Sequence, residues 1–255
     1  MAAPRPVPVT VAVAAAALGL AAVAGPAAAQ PRKPTPPRAP ATGTITGTVT
    51  WKGEVPVRTV LDRSRDPSCA KTARLSEDVL VEGGRLRDVH VRVKIGTAGT
   101  HPAPATPVVI VQTDCMYTPR VVGVMAGQKL EVVNSDPTFH NVRGNLGTKI
   151  LWNLAHTAGA ANLVRSDLGA AGEVLSLHCD VHPWMAAWAV VSDHPYFAVT
   201  GADGAFTLRD VPAGTYTLEA WHPKLGLQTA RVKVTKGRTA KATFAFAAPS
   251  PAPAP

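Results

Sequence analysis

The stretch CDVHPWM, residues 179–185, sets a cysteine, a histidine and a methionine three positions apart in a chain of 255 residues that holds only three cysteines and four methionines. The apolar run AWAVV (187–191) follows directly, so these side chains sit on a turn that leads into a strand. Outward from it the same two-residue periodicity recurs. GTITGTVTW (43–51), DVLVEGG (78–84), RDVHVRVKI (87–95), PVVIVQT (107–113) and QKLEVVN (128–134) carry it upstream, and GAFTL (204–208), GTYTLEAW (214–221), ARVKV (230–234) and AKATFAF (240–246) downstream. Turn chemistry separates them at VEGGR, VMAGQ, TGADG, DVPAG and TKGR. The expected fold class is therefore all-β, built as sandwiches; only the region from Thr148 to Leu168 has room for a short helix.

The ends of the chain set the compartment. Arg5 precedes an Ala/Val-rich run from Val9 to Val23, and Ala27-Ala28-Ala29 supplies small residues before Gln30, the layout of a secretory signal over 1–29. No cysteine near that site supports a lipid anchor. As an uncleaved anchor the run is a weak span, interrupted by Thr10 and closed by Gly25-Pro26. Residues 30–42, rich in proline, read as an extended linker, and 248–255 as a disordered tail. The expectation is a periplasmic or secreted protein with no stable membrane span after cleavage. Of the formal net charge of +9, Arg5 in the signal and Arg32, Lys33 and Arg38 in the linker carry four, and the +5 left on the foldable part suits an acidic docking surface on a partner, or plain solubility. Nucleic acid is not expected, because no basic run carries interleaved aromatics.

The strand QKLEVVN ends in a polar turn, and NSDPTFHNV (134–142) places His140 just beyond it. Thirty-nine residues separate His140 from Cys179, so the two meet only through tertiary folding. Together with His182 and Met185 they make a set of two imidazoles, a thiolate and a thioether. Trigonal His2Cys ligation with a weak axial methionine is the pattern of a blue copper site, since sulfur favours Cu(I) and imidazole serves both oxidation states. Zinc would draw more cysteines or a carboxylate, and no CxxC exists.

On these residues, NSDPTFHNV and CDVHPWMAAWAVV, the segment from about 105 to 193 resembles the cupredoxins, with the short ligand loop of the amicyanin type. With HPYFAVT (194–200) following directly, the whole chain is similar to the plastocyanin-like proteins of methylamine utilisation. The resemblance implies one type 1 copper held by His140, Cys179, His182 and Met185. It implies that Asn141 ties the ligand loops together and lets its backbone amide approach the Cys179 sulfur. It also implies a single-electron carrier rather than an enzyme, working with a redox partner protein. The exposed edge of His182 is expected to be the electron portal, with Trp184 in the surrounding patch. Ala186-Ala187-Trp188 departs from the glycine often found after the methionine.

Two other readings stay open. His178 directly precedes Cys179, and such a His-Cys pair links a blue copper to a second, catalytic copper in some copper oxidoreductases; the absence of any HxH motif speaks against that. Copper storage or delivery would call for Met- and His-rich tracts, which the chain lacks. Cys69 and Cys115 remain, and in an exported protein two leftover cysteines most simply form a disulfide. It would pin the loop DRSRDPSCAKTARLSED (62–78) to the copper-binding part.

The C-terminal run from Phe197 to Phe246 resembles the carboxypeptidase regulatory-like, transthyretin-like (Ig-like) sandwich through its DG turn, FTL strand, PAG turn and YTLE strand. Its opening strand pair is missing there, and GTITGTVTW with RDVHVRVKI supplies candidates more than a hundred residues upstream. The expected organisation is an outer sandwich of 43–99 plus 194–247 with the cupredoxin-like Greek-key sandwich, 100–193, inserted in it. The alternative is two sandwiches packed side by side.

Overall fold

Alternating side chains become alternating burial. Over 239–247, Ala242, Phe244 and Phe246 turn inward while Thr239, Lys241 and Thr243 face solvent. The computed structural model describes residues 41–95 and 101–248, together with Pro8 and Thr10. The rest of the expected signal, nearly all of the linker and the tail beyond Ala248 lie outside the described residues.

The first strands are β1 (Thr42–Lys52), β2 (Val81–Glu82), β3 (Arg85–Leu86) and β4 (His90–Val93). Nine follow: β5 (Val108–Thr113), β6 (Met116–Thr118), β7 (Val121–Met125), β8 (Leu130–Asn134), β9 (His140–Leu146), β10 (Lys149–His156), β11 (Leu163–Arg165), β12 (Val174–His178) and β13 (Ala186–Ser192). The last are β14 (Phe197–Val199), β15 (Ala205–Pro212), β16 (Gly214–His222), β17 (Gly226–Val234) and β18 (Thr239–Ala247). Among the described residues there is no helix: Thr148–Leu168 instead contributes β10 and β11.

Four sheets make two sandwiches. In the first, β15-β1-β3-β2, with β18 running parallel to β1, faces β14-β4-β16-β17 across a core that includes Ile45, Val91, Phe206, Leu218 and Phe246. In the second, β10-β9-β12-β13-β7 faces β11-β8-β5-β6 across Ile110, Val124, Leu130, Leu175 and Leu177. β1 and β4, expected from sequence as a strand pair, lie in opposite sheets of the first sandwich.

The chain leaves the first sandwich after β4 and returns to it at β14, which pairs antiparallel with β4 (Phe197 opposite Arg92, Val199 opposite His90). All of β5–β13 is thus spliced between two neighbouring strands, whose adjacent ends accommodate an insertion without disturbing the sheet. Contacts do not divide the two sandwiches into separate bodies. Arg92 donates to the Val191 carbonyl at 3.1 Å, joining β4 to β13. Gly123 of β7 lies against the Phe197 ring and His90, where any Cβ would collide with both.

Candidate metal centre

Two structural units deliver the candidate ligands. His140 is the first residue of β9, after a turn that Asn134 organises: its Nδ2 donates to the carbonyls of Thr138 (3.0 Å) and His156 (2.9 Å), and its Oδ1 accepts from the Asp136 amide. Cys179, His182 and Met185 lie on the hairpin loop between antiparallel β12 and β13. Cys179 N–H donates to the Met185 carbonyl (3.3 Å) and Met185 N–H to that of His182 (2.9 Å), which curls the loop back on itself. Met185 is fully buried in the inner core.

The side chains converge. His140 Nδ1 lies 2.9 Å from His182 Nδ1, and Cys179 Sγ lies 3.9 and 3.8 Å from these two nitrogens. At the far side of each ring a carboxylate waits: Asp136 Oδ2 is 2.9 Å from His140 Nε2, and Asp66 Oδ2 is 3.0 Å from His182 Nε2. With each Nε2–H donated to its aspartate, both Nδ1 atoms turn lone pairs towards one another. Two lone pairs 2.9 Å apart in a buried site repel unless a cation sits with them. That cation is a proton or a metal ion, and the donor chemistry fits a metal that accepts imidazole and thiolate.

The electrostatics agree. Burial alone would push His140 down, but Asp136 and the Cys179 sulfur outweigh it and hold the imidazole up at about 9. Burial would likewise raise the Cys179 thiol; the hydrogen bonds from His140 and from the backbone at Asn141, His182 and Val181 bring it below its ordinary value instead. Burial dominates at His182 and keeps it below the usual histidine range, against the pull of Asp66. Asn141 bridges the two ligand segments. Its Oδ1 accepts from the Asp180 amide (2.7 Å) and lies 3.4 Å from Cys179 Sγ, and its Nδ2 donates to Asn153 and Asp180.

The exposed portal expected at His182 is not there: the residue is only 1% exposed. The segment 57–78, which has almost no regular structure, lies over it. A Cys69–Cys115 disulfide fastens that segment to the inner sandwich, and Cys69 Sγ sits 3.5 Å from His182 Nε2. Asp114 adds anchors from Arg63 (2.8 Å), Thr72 (3.0 Å) and Arg74 (2.5 Å). Trp184 is half-buried, with its ring 5.2 Å from that of His182 and its Nε1 donating to the Cys115 carbonyl. It opens onto a cleft shared with Met116, His178, Pro183, Trp188 and Lys224. His178 packs edge-on to Trp188 and belongs to none of the metal-ready groups among the described residues.

Sequence reasoning missed both aspartates. Asp136 had a faint signal, standing four residues before His140 in the same turn. Asp66 had none, because it arrives from 116 residues away.

A family model described as the β-sandwich domain of ER membrane protein complex subunit 7 matches residues 182–250, in place of the carboxypeptidase regulatory-like family expected there. Solved structures show low similarity over a third to two fifths of the chain. A purple cupredoxin from Nitrosopumilus maritimus is 20% identical over 33% of this chain and 99% of its own, with a TM-score of 0.29. Amicyanin from Paracoccus versutus (Thiobacillus versutus) is 23% identical over 40% of this chain and 97% of its own, with a TM-score of 0.30. No curated protein matches the chain. Among the described residues no helix is long and apolar enough to cross a membrane.

Proposed function

We propose that this protein is a single-electron carrier that holds one copper ion between His140, Cys179, His182 and Met185. The observation that carries the reading is the convergence of two imidazole Nδ1 atoms and one thiol sulfur, 2.9 to 3.9 Å apart and buried. Bound there, copper supplies a one-electron Cu(II)/Cu(I) couple. The chain's contribution is to hold the donors still. Asp136 and Asp66 orient the two rings, Asn141 locks the Cys179 loop to the His140 strand, and the inner core closes around Met185. A donor set fixed from several directions moves little between oxidation states, so little reorganisation opposes electron transfer.

With His182 covered, Trp184 is an aromatic side chain that links the cluster to solvent, through ring contact with His182 on one face and the cleft on the other. A redox partner protein is expected to dock there. The Cys69–Cys115 disulfide suits an oxidising compartment, in line with a periplasmic or secreted protein. Copper stoichiometry together with voltammetry tests the reading. One equivalent of copper and a reversible one-electron wave are expected. Two equivalents, with catalytic current on adding nitrite or dioxygen, would contradict it in favour of a second copper near His178.

A further inference from the structure

We propose that Asp66 is the positioning residue that fixes the His182 ring for metal binding, a role that rests on the metal-centre reading above. The Nε2 neighbours of His182 come from outside its seven-residue hairpin loop. That edge of the ring meets a carboxylate brought from a remote part of the chain, Asp66 Oδ2, at 3.0 Å.

The carboxylate is itself held from several directions. Oδ2 accepts from Thr138 Oγ1 (2.8 Å), on the turn that delivers His140, and Oδ1 accepts from the Ser68 amide (2.8 Å). The Asp66 carbonyl accepts from the amides of Cys69 (3.0 Å) and Ala70 (2.9 Å), and three residues on the chain is covalently fastened at Cys69–Cys115. Arg63, almost wholly buried, ties the other side of the turn to Asp114. Asp66 is therefore an acceptor placed before the ligand arrives, and its contact with Thr138 couples the two histidine-bearing segments.

Accepting the Nε2 hydrogen selects one tautomer of His182. That tautomer leaves the Nδ1 lone pair aimed at His140 Nδ1 and Cys179 Sγ, where a metal would sit. Outer carboxylates of this kind set ring orientation and donor strength in metal sites, and losing one typically costs ten- to a hundredfold in metal affinity. Asp136 does the same for His140, so both imidazoles are paired with carboxylates.

The test uses the full chain, first metal-free and then titrated with Cu(II) against a competing chelator. Long-range proton–nitrogen NMR of the metal-free wild type should show the His182 hydrogen on Nε2, protected from exchange with water. Asp66→Ala should lose that protection and bind Cu(II) about 10- to 100-fold more weakly. Asp66→Asn, whose amide oxygen can still accept, should restore the protection and most of the affinity. A wild-type His182 with its hydrogen on Nδ1, or with a freely exchanging Nε2–H, would overturn the proposal whether or not the alanine variant folds. So would an alanine variant with unchanged protection and affinity. A wild type with the protected hydrogen but no intense thiolate-to-copper absorption would contradict the copper reading alone, and the NMR result would still uphold the Asp66 contact.

Discussion

At the scale of single residues, the chemistry turns on how neighbours overrule burial. Cys179 and His140 are both almost fully buried, yet Asp136 first and the Cys179 sulfur second hold the imidazole above its ordinary value, while His140 and backbone hydrogen bonds hold the thiol below its own. The linkage has a definite sign. A histidine raised to about 9 in the folded state stabilises the metal-free protein fully below the unfolded value near 6.5, and that contribution is lost as pH rises through 9. Denaturant unfolding of the metal-free protein should show this decline, and Asp136→Asn should flatten it; equal slopes would deny Asp136 its part. Met185→Gln should keep copper bound but lower the reduction potential, since an oxygen donor favours Cu(II) more than a thioether does. An unchanged potential in voltammetry would mean that Met185 is not an axial ligand. Of the four proposed donors, His140, Cys179 and His182 converge in the structure; the Cys-x-x-His gap was legible because it is short and involves rare residues, and His140 because it follows a strand in a polar turn. The aspartates were not, since a carboxylate acting through a histidine leaves no spacing of its own.

At the scale of elements, the segment that covers His182 decides what the hairpin loop can do. Its regular pairing amounts to one isolated bridge, Val60 with Leu75, so no periodicity announced it. The loop read alone suggested an exposed ring; the cysteines foretold the fastening but not what it would bury. Residues 69 and 115 enclose a separation of 46, and on the chain-entropy argument opening that loop costs about 4 kcal/mol. Cys69→Ala should lower the unfolding midpoint accordingly and speed amide exchange across 57–78, both measurable on the metal-free protein. Unchanged exchange would show that Asp114 and its three partners hold the segment without the disulfide. The region 148–168 misled for a simpler reason. Ile150, Leu151 and Leu154 are spaced as well for a helix face as for an edge strand, and pairing with β9 decides for the strand.

At the scale of the molecule, period-two patterning made the all-β class plain, whereas which strands share a sheet depends on long-range pairing that no local pattern encodes. Hence β1 and β4 read as partners and stand in opposite sheets. Where the sandwiches meet, His90 is buried against Phe197 beside Gly123, and burial pushes its imidazole down to about 3. Such a group stabilises the fold fully above the unfolded value near 6.5 and withdraws that support as pH falls towards 3, by about 1.4 kcal/mol per pH unit. His222, lowered to about 4 by burial, acts in the same direction. His90→Leu should therefore reduce the acid slope of unfolding free energy between about pH 6 and 4 by close to one proton; an unchanged slope would mean that His90 is already accessible in the folded state. The most direct test of the central claim is the visible spectrum of the copper-loaded protein beside that of Cys179→Ser. An intense thiolate-to-Cu(II) absorption in the wild type, absent from the serine variant, is the predicted result; a weak spectrum in both, or an intense band that survives the substitution, would contradict it.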